Sequence, residues 1–206
     1  MLGNQKRRIF WNIVLLGLFI STGIAHAQAD NFKKSIYQMG ILKPKNSVSI
    51  LKVGDKAPDF SLTSVGGLSV PLSYYLEKKN VVISFVPAAW TPVCSAQWPE
   101  YNNAKDMFDD NDAMLLGITV DNSPTLYSWT KNMCGVDNTL WFPVFSDFFP
   151  HGEVAKKYGV LRLEGFSERA LFVIDKKGII RFIDVHDINK KPPLSELRKA
   201  LEDLKE

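Results

Sequence analysis

Apolar runs rich in β-branched and aromatic side chains recur from residue 51 onward and predict a sheet. They lie at residues 81–86, 113–120, 141–145, 170–174 and 179–185. The first run has too few polar positions for a half-exposed strand, so we expect it to be a buried central strand. A turn at Asp175-Lys176-Lys177-Gly178 joins the last two runs into an antiparallel hairpin.

Helical patterns alternate with these strands, at residues 92–108, 123–133, 154–158 and 193–204. Pro92 and Pro124 suit the first turn of their helices, where a missing N–H costs no hydrogen bond. The last helix has one apolar face, made of Leu194, Leu197, Leu201 and Leu204. The order of elements predicts an α/β protein with a central mixed β-sheet flanked by helices on both faces.

The first 27 residues have the pattern of a secretory signal peptide. Basic residues 6–8 precede an apolar run at residues 9–20, and Ala25-His26-Ala27 provides small residues for cleavage. We expect cleavage after Ala27, with Ala27-Gln28-Ala29 as a second candidate site. The alternative is a retained membrane anchor, although the apolar run is shorter than the ~20 residues that a spanning helix needs. The pattern therefore predicts an exported protein, periplasmic or otherwise extracytoplasmic.

The length and charge of the chain indicate one folded domain that is near neutral after removal of the signal. The 206 residues suit one folded domain. Residues 28–50 are polar and irregular and predict a flexible N-terminal arm, and residues 51–206 form the domain. The chain has 25 Lys and Arg against 22 Asp and Glu, and the three basic residues of the signal account for the excess. The mature protein is therefore near neutral, and its charge does not indicate nucleic-acid binding.

Cys94 follows the predicted central strand and lies in the first turn of the helix that Pro92 opens. A helix N-terminus has free N–H groups and a partial positive charge. These groups favour a thiolate over a thiol, and the thiolate is the nucleophilic form of cysteine. The position therefore indicates a reactive cysteine. The alternative is a buried, inert thiol behind a turn.

Pro87, Thr91 and Cys94 match the spacing Pro-x-x-x-Thr-x-x-Cys. In this signature the chain resembles the peroxiredoxins, which are thiol peroxidases with a thioredoxin-like fold. The resemblance implies that fold for the domain. It also implies reduction of hydrogen peroxide and small organic hydroperoxides through a cysteine sulfenic acid.

The likeness extends from about Leu51 to the end of the chain. Residues 54–60 have the Gly-x-x-Ala-Pro-x-Phe pattern with which thioredoxin-like peroxidases open. Residues 146–160 resemble the one-cysteine bacterial branch called alkyl hydroperoxide reductase E, or bacterioferritin comigratory protein-like.

The resemblance implies a role for each residue of the signature. Cys94 would be the peroxidatic cysteine, which attacks the distal peroxide oxygen and becomes a sulfenic acid. The Thr91 hydroxyl and the backbone N–H groups of Val93 and Cys94 would donate to the peroxide oxygens. Pro87, which has no N–H, would shield the sulfur from water.

Three further residues belong to the expected site. Peroxiredoxins have an arginine at the start of a later strand, and Arg169 matches that position. It would favour the thiolate and bind the peroxide; the alternative is a surface ion-pairing residue. Gln97 stands where many relatives have Glu, and its amide can still hydrogen-bond the arginine. Trp90 replaces a more common Phe and would form part of the pocket wall.

The sequence leaves three roles open for Cys134. As a resolving cysteine it would attack the sulfenic acid and form a disulfide that a dithiol reductant opens. It lies near the end of the helix at residues 123–133, so the two thiols would meet only after local unwinding, because a disulfide needs Cα atoms within about 7 Å. The alternatives are a buried free thiol and a permanent structural disulfide.

The implied partners are a hydroperoxide substrate and a thiol reductant, such as a thioredoxin-like protein or a low-molecular-weight thiol. Homodimers are common in the family. No cofactor is expected. No metal is expected either, because His151 and His186 are isolated in the sequence and no Cys-x-x-Cys or His-x-x-x-His pattern accompanies them.

Two other functions use the same fold. An exported thiol–disulfide oxidoreductase needs Cys-x-x-Cys, and the chain has Gln97 at that place. A copper-delivering or redox-sensing protein needs Cys-x-x-x-Cys with a distant His, and the chain has Trp98 there. The chain lacks the second cysteine that each of these functions needs, so the residues favour a peroxidase.

Overall fold

The computed structural model describes residues 30–48, 50–133 and 139–205. The predicted signal peptide with its cleavage site lies outside these residues, and so does Cys134. Within the described ranges, no helix has the length and apolar character needed to cross a membrane.

Seven strands of the described chain form one mixed sheet: β1 (Ser61–Ser64), β2 (Ser69–Pro71), β3 (Asn80–Phe85), β4 (Ala113–Thr119), β5 (Val144–Ser146), β6 (Arg169–Ile174) and β7 (Ile180–His186). Their order across the sheet is β2-β1-β5-β4-β3-β6-β7. β3 pairs in parallel with β4 and antiparallel with β6. Residues 81–85 of β3 are fully buried, so the predicted central strand is confirmed.

Helices accompany the sheet: α1 (Pro92–Asn103), α2 (Lys105–Asp109), α3 (Ser123–Met133), α4 (Glu153–Lys157) and α5 (Leu194–Glu202). Residues 30–35 are also helical, and 3₁₀ turns lie at Leu72–Tyr74 and Asp203–Lys205. The single helix predicted at residues 92–108 is divided at Ala104, whose ψ of 23° departs from helical backbone.

The strand predicted at residues 141–145 begins later, at Val144. Pro143 has no N–H to contribute to a sheet, although its carbonyl accepts from the Gly117 N–H at 3.0 Å. The Trp141 N–H donates to the Asn102 side chain at 3.1 Å. Trp141 therefore binds α1, and contact with β4 begins only at the Pro143 carbonyl.

The core has two layers, one on each face of the sheet. α1, α3 and α5 pack on one face, where the rings of Trp98 and Trp129 lie 5.0 Å apart and Leu197 is fully buried. α4 packs on the other face, together with Phe85 and Tyr158. Helices on both faces were expected, and this arrangement is confirmed.

Residues 37–47 of the N-terminal arm lie against the domain. The Asn189 side chain bonds both backbone groups of Leu42, accepting from the N–H at 2.9 Å and donating to the carbonyl at 2.8 Å. The Ile188 N–H donates to the Pro44 carbonyl at 3.0 Å. The sequence does not predict these contacts, because an irregular polar segment has no periodicity that shows what it packs against.

Candidate active site

Cys94 lies in the first turn of α1, after the loop that follows β3. Thr91 is the N-cap residue, with extended backbone, and Pro92 is the first helical residue. The Ser95 N–H makes the first helical bond, to the Thr91 carbonyl at 2.9 Å. The N–H groups of Val93 and Cys94 therefore precede the helical ladder. The predicted helix N-terminus is confirmed, and the Cys94 side chain is fully buried.

Arg169 brings positive charge to the sulfur. It is the first residue of β6, which neighbours β3 in the sheet, and it is only 2 % exposed. Its Nη1 and Nη2 both lie 3.5 Å from Cys94 Sγ. The alternative of a surface ion-pairing residue does not fit this burial.

Neutral groups hold the guanidinium in place. Nη1 donates to Gln97 Oε1 at 2.7 Å, and Nε and Nη2 donate to the Ile188 carbonyl at 3.2 and 3.0 Å. Within the described residues, the arginines that form salt bridges are Arg162 and Arg181, and no salt bridge joins Arg169 to a carboxylate. A buried charge is costly unless an opposite charge compensates it. Among the groups that Arg169 contacts in these bonds, the Cys94 sulfur is the one that can carry a negative charge.

A hydrogen-bond network orients Gln97. Its Nε2 donates to Tyr101 Oη at 3.2 Å and lies 3.4 Å from Ser84 Oγ, which leaves Oε1 to accept from Arg169. Burial raises the pKa of Tyr101 well above its usual value, so its hydroxyl stays protonated. The sequence motifs did not indicate Ser84 and Tyr101 as residues of the site. The signal for Tyr101 was its place one helical turn after Gln97.

A pocket of about 330 Å³ lies against Arg169. Pro87, Thr91, Val93 and Arg169 contribute to its lining from the domain. Residues 38–42 of the arm form a contiguous wall of the same pocket. Four of the predicted site residues therefore surround one space. Cys94 does not line it, and Arg169, which does, lies between the space and the sulfur at 3.5 Å from Sγ.

Trp90 and Gln97 are absent from that lining among the described residues. The Trp90 ring packs on Phe32 instead, with 5.7 Å between ring centroids, and its carbonyl accepts from the Tyr37 N–H at 2.7 Å. Its φ of 59° is left-handed, which costs about 1–2 kcal/mol for a residue with a Cβ. The predicted pocket-wall residue Trp90 therefore binds the arm.

The Thr91 hydroxyl donates to the Ala88 carbonyl at 2.8 Å. Because a hydroxyl has one proton, Thr91 here offers the pocket an acceptor, whereas the sequence predicted a donor. The donors that remain near the sulfur are the guanidinium and the N–H groups at the start of α1.

Ile188 is the residue of the site that the sequence could not indicate. It acts through its carbonyl, which accepts two bonds from Arg169. Every residue type has such an acceptor, so no side-chain pattern marks this one. Cys134 lies outside the described residues, and its three alternatives stay open.

The sequence is similar to those of known proteins. A family model described as the AhpC/TSA family matches residues 53–183. Alkyl hydroperoxide reductase E of Mycobacterium tuberculosis is 36% identical over 137 residues, which cover 66% of this chain and 86% of that protein. A chloroplastic 2-cysteine peroxiredoxin of Chattonella marina is 32% identical over 157 residues, which cover 74% of this chain and 80% of that protein.

Solved structures show the same fold. The reduced 2-Cys peroxiredoxin of Plasmodium vivax superposes with a TM-score of 0.68 at 26% identity, covering 75% of this chain and 82% of that one. Peroxidoxin BcpB of Mycobacterium tuberculosis has a TM-score of 0.63 at 27% identity, covering 75% and 97%. The predicted thioredoxin-like fold is confirmed.

Proposed function

The chain belongs to the AhpC/TSA family and is a peroxiredoxin, a thiol-dependent peroxidase, and from this premise we propose that it reduces hydrogen peroxide and small organic hydroperoxides at Cys94. One observation carries the assignment to Cys94. Both Nη atoms of the buried Arg169 lie 3.5 Å from Sγ, without a carboxylate to balance the charge in the described chain. This cation favours the thiolate, which is the form that attacks a peroxide.

The proposed reaction is a two-electron transfer from sulfur to oxygen. The Cys94 thiolate attacks the distal oxygen of the hydroperoxide, so an S–O bond forms as the O–O bond breaks. Sulfur becomes a sulfenic acid, and the departing alkoxide or hydroxide takes a proton from solvent. Arg169 and the N–H groups of Val93 and Cys94 stabilise the negative charge that develops on the leaving oxygen. Thr91 accepts from the O–H of the distal oxygen, and Pro87 limits access of water.

The direct test compares the wild type with Cys94→Ser. With hydrogen peroxide and a dithiol reductant in excess, we expect the wild type to consume peroxide and the variant to show only the background rate. Circular dichroism confirms that the variant is folded. Equal consumption by the two proteins would overturn the assignment.

The sulfenic acid must be reduced by thiols, and the proposed reductant is a thioredoxin-like protein or a low-molecular-weight thiol. One thiol condenses with the sulfenic acid and releases water, and a second thiol opens the resulting disulfide. Mass spectrometry after one equivalent of peroxide identifies the first partner. A disulfide between residues 94 and 134 assigns the resolving role to Cys134. A stable sulfenic acid with Cys134 still open to alkylation assigns the one-cysteine mechanism.

We also propose that the protein is exported and that residues 1–27 are removed. The support is the order of basic, apolar and small residues at the N-terminus. The mass of the protein recovered from a periplasmic extract is expected to correspond to a chain that begins at Gln28. Recovery of the full-length chain in the membrane fraction would support the retained anchor instead.

A further inference from the structure

The pocket lined by Thr91, Val93 and Arg169 has a wall that lies outside the part of the chain matched by the family model. That match begins at residue 53, whereas residues 38–42 line the pocket. We infer that this arm segment sets the size of hydroperoxide that reaches Cys94, admitting small peroxides and excluding bulky ones. The inference rests on the proposed function, which it deepens by naming the element that selects the substrate.

Asn189 fastens the wall at its C-terminal end. Its side chain bonds the N–H and the carbonyl of Leu42, and its Nδ2 also donates to Asp187 Oδ1 at 2.9 Å. A side-chain amide that bonds both groups of one residue acts like a neighbouring strand and fixes that backbone in place. The arm therefore meets the pocket edge in a defined position.

A buried ion pair fastens the arm beyond the pocket. Arg162 Nη1 donates to Glu168 Oε2 at 2.6 Å, and neither side chain is exposed. Glu168 Oε1 accepts from the N–H groups of Asn46 and Ser47 at 2.6 and 2.8 Å. Arg162 Nη2 donates to the Lys43 carbonyl at 3.0 Å. The arm therefore supplies three hydrogen bonds to this buried pair, while Arg162 Nε has no partner among the described residues.

Met39 is a suitable residue for testing the wall. It lines the pocket and is half-buried, and its truncation to Ala removes side-chain atoms without touching the bonds that hold the arm. Asn189→Ala keeps the side chains of the arm and releases Leu42. Val48 is the matched control, because it belongs to the arm, is 84 % exposed and is not in the pocket lining.

The experiment measures the rate constants of Cys94 oxidation by hydrogen peroxide and by cumene hydroperoxide, from tryptophan fluorescence after stopped-flow mixing. We expect the ratio of the cumene hydroperoxide rate to the hydrogen peroxide rate to rise about tenfold in Met39→Ala and in Asn189→Ala, the scale of discrimination by an apolar pocket. Val48→Ala is expected to keep the wild-type ratio. An unchanged ratio in both pocket variants would overturn the inference, as would an equal loss of both rates, which indicates misplacement of Arg169 through Ile188.

A second measurement does not depend on peroxide chemistry. Cys94 is alkylated with iodoacetamide and with a bulky maleimide dye, and mass spectrometry follows the peptide that contains Cys94. We expect the maleimide rate to rise relative to the iodoacetamide rate in Met39→Ala and Asn189→Ala only. If the wild type fails to consume peroxide, the proposed function fails, and this ratio still decides whether the arm limits access.

Discussion

At the scale of single residues, the main feature is the contact between the buried Cys94 sulfur and the buried Arg169 guanidinium. A cysteine buried in an apolar core is a weak acid and inert, but this sulfur faces two guanidinium nitrogens at 3.5 Å. The same guanidinium also donates to Gln97 and to the Ile188 carbonyl. A planar group with five N–H donors can make these bonds together, and a lysine ammonium cannot.

Replacing Arg169 tests the electrostatic role. In Arg169→Ala we expect the rate of peroxide reduction to fall by about a hundredfold, the usual effect of losing one donor at a developing anion. The pH midpoint of the ultraviolet thiolate absorbance is expected to move upward, because the thiolate loses its cation. Stopped-flow mixing and a pH titration provide the two measurements.

Arg169→Lys is the matched variant, because it keeps the positive charge and removes the planar guanidinium. It is expected to retain part of the thiolate absorbance at neutral pH while it loses the bonds to Gln97 and Ile188. Identical titration midpoints in the wild type and Arg169→Ala would contradict the role given to the guanidinium.

At the scale of elements, α1 packs closely on β4 where Trp98 meets Gly117. Gly117 of β4 lies beneath the fully buried Trp98 of α1. A Cβ at Gly117 would lie 2.8 Å from the nearest carbon of the Trp98 ring. The absence of a side chain at Gly117 therefore sets the distance between the sheet and the helix that positions Cys94.

Gly117→Ala is expected to lower the free energy of unfolding by about 1–3 kcal/mol, because the buried ring cannot move aside without disturbing its neighbours. Denaturant unfolding followed by circular dichroism measures the change. Gly66→Ala is the control, since its added Cβ would meet only Ser64 Oγ at an ordinary 3.6 Å. Equal stability of the two variants would show that α1 adjusts freely over the sheet.

At the scale of the whole molecule, the arm joins distant parts of the chain. Asn46 Nδ2 donates to Glu164 Oε2 at 2.7 Å across 118 residues of sequence, and Glu164 also pairs with Arg162 at 3.0 Å. The hydrogen bond from Arg162, followed by that from Asn46, lowers the pKa of Glu164 from 4.5 to about 2. The folded state therefore favours the Glu164 carboxylate.

This pKa gives the attachment of the arm a dependence on pH. The contribution of the carboxylate is complete above pH 4.5 and is lost as the pH falls toward about 2. We expect hydrogen-exchange protection of the Asn46 and Ser47 amides to decrease in this window while that of β3 persists. The effect is small, because exposed ion pairs are weak. In Glu164→Gln we expect no such loss of protection between pH 4.5 and about 2. The same pH dependence in both proteins would refute the role of Glu164.

Local signals were enough to predict much of the fold and part of the site. The apolar run of β3, the proline that opens α1 and the leucines of α5 each act within one turn or one strand, so they can be read along the chain. The spacing of Pro87, Thr91 and Cys94 has the same local character. Some errors arose where a distant partner intervenes, as at the start of β5, where Asn102 takes the Trp141 N–H. Others were local, as at Thr91, whose hydroxyl donates to the Ala88 carbonyl three residues away.

The sequence by itself determined the order of elements and the place of Cys94 at a helix N-terminus, because periodicity and short motifs encode them. The choice of Arg169 as its cation came from the resemblance to the peroxiredoxins. Only the tertiary structure decided what completes the site. The Asn189 clamp and the arm wall join segments more than 140 residues apart, as the Leu42–Asn189 bonds show with a separation of 147, and the Ile188 carbonyl binds Arg169 across 19 residues. Contacts between such segments depend on how the whole chain packs, and no local pattern records them.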